Sequence, residues 1–596
     1  MAEKPNDDAV VVGSTEKSAP GSSDGSQLSN EPEPKLHAKT FLAVFAVALI
    51  YFAQLFSLIG AGAQGQTIAG HFGATDKTSW LSAVITIMTV VLGPIFSQAA
   101  DYWGRKWFIV IPTFFGAIGS VVVARSTSIE MCIAGFCIIG VAFGAQPLLH
   151  TVSSEVLPRK WRAYGQASDM ISNGLGSILG LLVGGAFNRS NNPASDGFRS
   201  YFYMALALYA VSAVLCIVVY NPPPRPLQKS LTLTEKLAKL DWVGYFFLAS
   251  GLVLFCLGLS WSKNPYEWSD PHVSATFAVG VALALMMVVY ETWFKKDGMF
   301  HHGLFTKNRN FSIVMFCVFA EGVAFFAANT YFAFQVSVLY ETDAVLVGTR
   351  YALMSIASMI GSVLCGWYCA RTHRLRWMTV GAFVIFVVFF ACMATTNQGS
   401  SNPVWFYPVL LGFALGMTLT TLITAAQLCI PPELIAIASG LIISVRSLGG
   451  TIGIAIYNVI FNDSMSHMPE NIAKAVIPSG FNPENLGMLI GGLTAHDNEI
   501  LGSIPGITPT IIEKGANALL GTYVSSFQKV WIAAACFVAV AVIGMCIASS
   551  YHFVGHDHLA NNHPAAAFLF DPKKEFNNHI DAPLEKEEAS VYSVSA

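Results

Sequence analysis

Apolar residues in this chain come in runs of about twenty, one after another, with charged residues gathered in the gaps. Fourteen such runs begin near Thr40, Trp80, Phe108, Ile129, Ala163, Tyr201, Trp242, Val273, Phe311, Val345, Trp377, Val404, Ala436 and Lys529. A hydrocarbon core roughly 30 Å thick takes about 20 helical residues to cross, and a lipid-embedded backbone must satisfy its own hydrogen bonds. The runs therefore predict an all-α membrane protein of 14 transmembrane helices. Charge orients them. Arg105 and Lys106, then Arg159, Lys160 and Arg162, then Arg225, Lys229, Lys236 and Lys239, then Lys295, Lys296, Lys307 and Arg309, then Arg371, Arg374 and Arg376 fall in alternate gaps. The gaps between hold scattered bases such as Lys77, Arg125 and Lys263. Because Lys and Arg mark cytoplasmic loops, those gaps and both chain ends are expected in the cytoplasm.

Composition agrees: 54% of residues are hydrophobic and 12% charged, against about a quarter charged in soluble proteins. A net charge of −3 offers no basic face to neutralise phosphates, so no nucleic-acid partner is expected. All eleven cysteines lie in or at the edge of apolar runs, which argues against structural disulfides and a Cys-based metal site. No nucleophile–base or metal constellation occurs in the exposed segments, so an enzyme is not expected, nor is a cofactor or an obligate protein partner. Residues 1–38 and 550–596 read as cytosolic tails, the first too poor in apolar residues to fold. The outside segment 462–528 is Gly- and Pro-studded and polar enough to leave the membrane, with a short helix around Pro509 to Leu520. Asn188 and Asn462 begin glycosylation sequons on that side, both close to the membrane surface.

Ionisable groups inside the runs are the first functional candidates, since at membrane depth they face cavities and find partners. Glu321, in the middle of the ninth run, is the principal candidate for a proton-coupling site, because desolvation raises a carboxylate's proton affinity. Asp169 in the fifth run and His150 in the fourth are two more. Arg446, in the thirteenth, cannot lose its charge and needs an anion, either an acid such as Glu321 or Asp169 or the substrate. Polar stripes at helical spacing mark cavity faces: Gln54, Ser57 and Gln64 on the first run, Gln146 and His150 on the fourth, and Thr420, Thr424 and Gln427 on the twelfth, with Phe325, Phe326 and Tyr331 as aromatic walls. Hydroxyls bonding their own helix are the alternative for the Thr stripe.

Three motifs resemble those of one transporter family. Asp101-Tyr102-Trp103-Gly104-Arg105-Lys106, after the second run, resembles the signature loop of the major facilitator superfamily, with Ser97 at its usual leading Gly. The resemblance implies that Asp101, Gly104, Arg105 and Lys106 form a tight turn whose charges latch one conformation. Gly366-x-x-x-Ala370-Arg371-x-x-Arg374 looks like a worn second copy. Gly176-x-x-x-Gly180-Leu181-x-x-Gly184-Gly185 resembles the glycine motif of the family's proton-driven exporters, with Leu181 where Pro is usual. Arg446 before Gly449, Gly450 and Gly453 is similar to a stretch of the fourteen-helix drug:proton antiporters. The loop Glu155-Val156-Leu157-Pro158-Arg159-Lys160-Trp161-Arg162 and the tail from Asp571 to Pro583 resemble the fungal trichothecene efflux pump group. The branch's Arg in the fourth helix is Phe136 here, and the acid of the first helix has only Ser57 as its nearest equivalent.

The family implies a major facilitator fold: a six-helix half at 39–220, a linker and inserted helix pair at 221–310, and a second half at 311–549. It implies proton-gradient-driven efflux of a small amphipathic substrate, such as a fungal secondary metabolite or xenobiotic, by alternating access. The plasma membrane is the expected site, a vacuolar or vesicle membrane the alternative. The alternative functions are a proton-coupled importer of siderophore-bound iron, from a related group, and a non-transporting membrane receptor.

Overall fold

The computed structural model describes residues 38–547, apart from 75–76, 158–160, 189–196, 223–227, 229–231, 262–265, 296–308, 342–343, 373, 429, 431–434 and 496–497. Both expected tails with the Asp571 to Pro583 stretch, the loop bases Arg159, Lys160, Arg225, Lys229, Lys263, Lys296 and Lys307, and Arg189 and Ser190 of the first sequon lie outside the described residues. The long helices are α1 (Ala38–Ala63), α2 (Thr78–Trp103), α3 (Arg105–Ala124), α4 (Ile129–Val156), α5 (Arg162–Asn188), α6 (Gly197–Val219) and α7 (Trp242–Trp261). They continue with α8 (Pro271–Val289), α9 (Arg309–Leu339), α10 (Ala344–Thr372), α11 (Arg376–Ala394), α12 (Tyr407–Leu428), α13 (Ile435–Ser466) and α14 (Pro509–Ile547). Thirteen helices among the described residues are long and apolar enough to cross a membrane, and α7, meeting a short helix at Leu233–Lys239 across a 47° bend, brings the number to fourteen.

Local chemistry sets several boundaries. Only Gly104 separates α2 from α3, at φ +92°, a conformation that costs a residue without Cβ little. Ser128 caps α4 by accepting from the Met131 N–H at 3.2 Å. That helix breaks at Ala145, where Pro147 has no N–H to continue the ladder. Helices α1–α6 pack among themselves, as do α9–α14, while α7 and α8 pair closely with each other. Tyr245 of α7 donates to Gln98 of α2, docking the pair on the first group.

The two six-helix groups meet along α2 with α13 and along α5 with α10. Gly440 lies against Ser97 and Pro94, Gly93 against Pro147 and Ser444, and Gly366 against the Ala163 carbonyl. Gly174 lies against Met359 and Ser355. The Gly440, Gly93 and Gly366 contacts fall between the middle of their helices and the end that carries the Arg- and Lys-rich loops, while the Gly174 contact lies near the middle of α10. Ser444 adds a bond to the Val90 carbonyl at 3.2 Å.

The segment after α13 departs from the expected loop. Helices at Met468–Val476, Leu486–Ala495 and Asn498–Ser503, with Ile504 just beyond, bury Ile472, Val476, Leu489, Leu493, Leu501 and Ile504 against Ile511 and Leu519 of α14. The short helix expected at Pro509 to Leu520 is the first third of α14, which runs 39 residues without a break and holds no proline after its first residue, Pro509. Apolar residues four apart, such as Ile472 and Val476 or Leu489 and Leu493, carry the signal that a polar average hides.

Candidate functional site

Close packing of α9 on α13 builds the central charged pair. Gly322 leaves no room for a Cβ, which would collide with the Arg446 carbonyl; one at Gly449 would collide with the Phe319 carbonyl. Gly450 and Gly453 lie against Phe326 and Val323. The glycine run after Arg446 thus brings the two backbones together and sets Arg446 beside Glu321. Arg446 Nε donates to Glu321 Oε2 at 2.6 Å and Nη2 to Oε1 at 3.0 Å, a two-pronged pair that occupies both carboxylate oxygens. Phe325 and Phe326 flank the guanidinium at 4.7 and 5.9 Å, and each such face-on contact adds about 0.5–2 kcal/mol.

A second cluster forms between α4 and α5. His150 and Asp169, separate candidates in the sequence, meet at 3.1 Å, both almost fully buried. His150 Nδ1 also lies 2.9 Å from Gln166 Oε1. Gln166 spends its amide nitrogen on the His150 carbonyl at 3.0 Å and on Ser154 Oγ at 2.8 Å, so its oxygen is the acceptor toward the ring. Ser153 donates to Asp169 Oδ1 at 3.0 Å. With Asp169 ionised, both groups facing Nδ1 are acceptors, so Nδ1 carries the ring proton. The Tyr51 ring stands edge-on to His150 at 5.3 Å, and its hydroxyl accepts from Gln146 and Asn173, each at 3.1 Å.

The remaining candidates scatter by role. Gln54 donates to the Ala142 carbonyl and Gln64 to Gly184, both fixing helix contacts within the first group. Ser57, Thr420 and Thr424 bond carbonyls of their own helices, the alternative the sequence left open for the Thr stripe. Gln427 accepts from Ser154 and donates to Ser439 at 3.0 Å. Tyr331 donates to Asn458 at 2.6 Å within an aromatic group that includes Tyr457, Phe461 and Phe527. Phe136 is fully buried against Phe202, so the place of the usual Arg is apolar packing here.

In the signature turn, Arg105 bonds Asp101 at 3.2 Å and pairs with Glu155 of α4. Lys106 donates to the Ile217 carbonyl at the end of α6 and to Asn221. Gly104 faces the Gln228 side chain. These bonds stay within the first group of helices. The exporter-type glycines pack α5 on α1: Gly176 meets the Phe52 carbonyl and Gly180 meets Ile59, while Gly185 lies half-buried one residue past Gly184. Asn462 is exposed, but it lies inside α13, and Ser464 of its sequon is buried and bonded by Lys529. The side chain of Asn188 lies outside the described residues.

Sequence reasoning missed Tyr51, Gln166, Asn173, Ser154 and Ser439. Gln166, Asp169 and Asn173 are spaced three and four apart, a polar stripe on α5 that periodicity reveals once Asp169 is singled out.

Residues 40–454 match the sequence family described as Major Facilitator Superfamily. This chain belongs to that superfamily. Across 95% of its length it is 20% identical to the trichothecene efflux pump of Fusarium sporotrichioides, covering 98% of that protein. It is 25% identical to the efflux pump apf11 of Gibberella fujikuroi over 76% of this chain and 82% of that one. The thioclapurine efflux transporter of Claviceps purpurea is 24% identical over 82% of this chain and 89% of its own. Among solved structures, the proton:xylose symporter XylE bound to 6-bromo-6-deoxy-D-glucose superposes with TM-score 0.54 at 12% identity, covering 90% of this chain and 99% of that one. A bacterial homologue of the lysosomal transporter Spinster, inward-facing and unoccupied, gives TM-score 0.51 at 14% identity, covering 86% and 98%. The fold is that of the superfamily: an all-α multi-pass membrane transporter of small molecules.

Proposed function

We propose that this transporter exports amphipathic small molecules of the secondary-metabolite class in exchange for protons, by alternating access, in the plasma membrane or a vesicle membrane. Near full-length likeness to fungal efflux pumps supports export. The observation that carries the proton is the contrast between two buried acid–base contacts. Glu321 was the first choice from sequence, but both its oxygens are held by Arg446. A proton arriving there must displace a bidentate guanidinium, and breaking a buried pair costs about 3–5 kcal/mol. His150 keeps Nε2 for a second proton while Asp169, bonded at Nδ1, stabilises the resulting imidazolium. In this reading His150 and Asp169 take the coupling proton. Glu321 and Arg446 with Phe325, Tyr51, Gln146 and Asn173 line the substrate route, and the Asp101 turn keeps the cytoplasmic ends of α2, α3, α4 and α6 moving together.

Transport in proteoliposomes tests it. A pH gradient drives a fluorescent amphipathic substrate toward the acidic compartment in the unaltered protein. His150→Asn and Asp169→Asn abolish that response while substrate-for-substrate exchange at equal pH continues. A gradient response retained in both variants would remove the pair from the coupling role.

A further inference from the structure

The His150 cluster does not end within the first six helices. Ser154, one turn of α4 beyond His150, donates its hydroxyl to Gln427 Oε1 on α12 at 2.5 Å, across the boundary between the two groups. Gln427 is fixed from behind by its bond to Ser439 of α13 at 3.0 Å. On the near side Ser154 accepts from Gln166, the residue whose oxygen shares the His150 Nδ1–H with Asp169. A continuous run of hydrogen bonds thus leads from a titratable ring in one group to a glutamine in the other. Every member from His150 to Ser439 is almost fully buried, where water competes least and each bond weighs most.

We infer that Gln166 reads the charge of His150 and passes it to the Ser154–Gln427 bond, which holds the cytoplasmic side of the transporter closed; the inference rests on the proton reading given above. In neutral His150 the single Nδ1–H is divided between Asp169 Oδ2 at 3.1 Å and Gln166 Oε1 at 2.9 Å. A proton added at Nε2 breaks no bond and leaves Nδ1–H in place, now on an imidazolium facing a carboxylate. Charge-assisted bonds are roughly twice as strong as neutral ones, so Nδ1–H turns to Asp169 and Gln166 Oε1 loses its donor. The amide is then free to rotate, its hold on Ser154 loosens, and the bond to Gln427 loses the partner that oriented it. Other titratable or charged groups near the ring and the relay are Tyr51 on α1, Arg446 on α13, Arg162 on α5, whose Nε donates to the Ser154 carbonyl at 3.0 Å, and on α4 itself Glu155, paired with Arg105. The direction suits an exporter: a proton entering from outside while the cytoplasmic side is shut favours opening toward the cytoplasm, where the proton leaves and substrate binds.

The test uses the full chain with Cys536 and Cys546 replaced by serine and spin labels at Trp161→Cys and Thr372→Cys, both at the cytoplasmic ends of their helices. In this background the label separation widens as pH falls. Gln427→Leu raises the open-to-closed ratio at high pH several-fold, the weight of one such bond, and blunts its dependence on pH. Gln166→Leu flattens the pH response, and the double variant behaves like either single one, as members of one chain must. Gln427→Leu sits at the far end of the chain and decides the question by itself if Gln166→Leu does not fold. A full pH response in either variant, or effects that add, overturns the relay. The two readings fail separately: a response that survives His150→Asn removes the proton from His150, whereas one that needs His150 but ignores Gln166 and Gln427 removes the relay alone.

Discussion

The two buried acid–base contacts use the same charges in opposite ways. Glu321 and Arg446 form a saturated pair, with both carboxylate oxygens bonded and the guanidinium held between aromatic rings. His150 and Asp169 form an open one, in which a ring nitrogen divides a single proton between two acceptors. A saturated pair is rigid and costly to break, while an open pair leaves one ring nitrogen outside the bonding. Burial alone therefore does not mark a proton site; what matters is whether the bonding leaves a state unused.

The largest predicted effect falls on the saturated pair. Arg446→Ala strands an ionised Glu321 and lowers stability by about 3–5 kcal/mol, visible as a large drop in melting temperature in detergent; Glu321→Gln combined with Arg446→Gln recovers most of it. If the single variant melts like the parent, the pair is not saturated in the way its geometry indicates. Next comes Asp169→Asn, which removes the gradient response of transport but leaves melting far less affected than Arg446→Ala. The signature turn lies between: Asp101→Asn is expected to slow turnover by about tenfold, the size of one charged hydrogen bond, while substrate affinity changes little. An unchanged rate would reduce the turn to an orientation signal. Smaller still, Tyr331→Phe deletes one hydrogen bond to Asn458 and costs about 1 kcal/mol of stability.

An exposed pair supplies the control. Asp270 contacts His272 at 2.8 Å, the same residue types as the buried dyad, at the start of α8. The His272 backbone N–H, then its ring, hold the Asp270 carboxyl below its usual range. Its contribution is therefore present above the unfolded aspartate pKa, about 3.9, and disappears as pH falls through the lower folded value. Asp270→Asn leaves both transport and its pH profile near neutrality unchanged. A shift in that profile would mean that surface histidines, not the buried dyad, set the pH dependence.

Much of the fold was legible because the bilayer imposes a length and a polarity on each crossing, and fourteen runs met both. The Asp101 turn followed from charge placement and one glycine, and the inserted pair was implied by the family resemblance. Glu321 and Arg446 were each visible as misplaced charges, yet their partnership depends on Gly322, Gly449, Gly450 and Gly453 bringing two distant helices into backbone contact. The His150 cluster was half-read for the same reason. Serine and glutamine are common enough in helices that Gln166 and Ser154 gain meaning only once the partners on α5 and α12 are in place. The outer segment was misread because its mean polarity masks apolar residues at helical spacing, which only a common core with α14 makes useful.

That last helix has a mechanical consequence. At 1.5 Å per residue, 39 residues span about 58 Å, nearly twice the hydrocarbon thickness. The small outer core is thus mounted on a single stiff shaft rooted among the second six helices. A tilt of about 10° at the root sweeps the tip by roughly 10 Å on a lever of that length, so small rocking within the bilayer becomes a much larger displacement of the outer core.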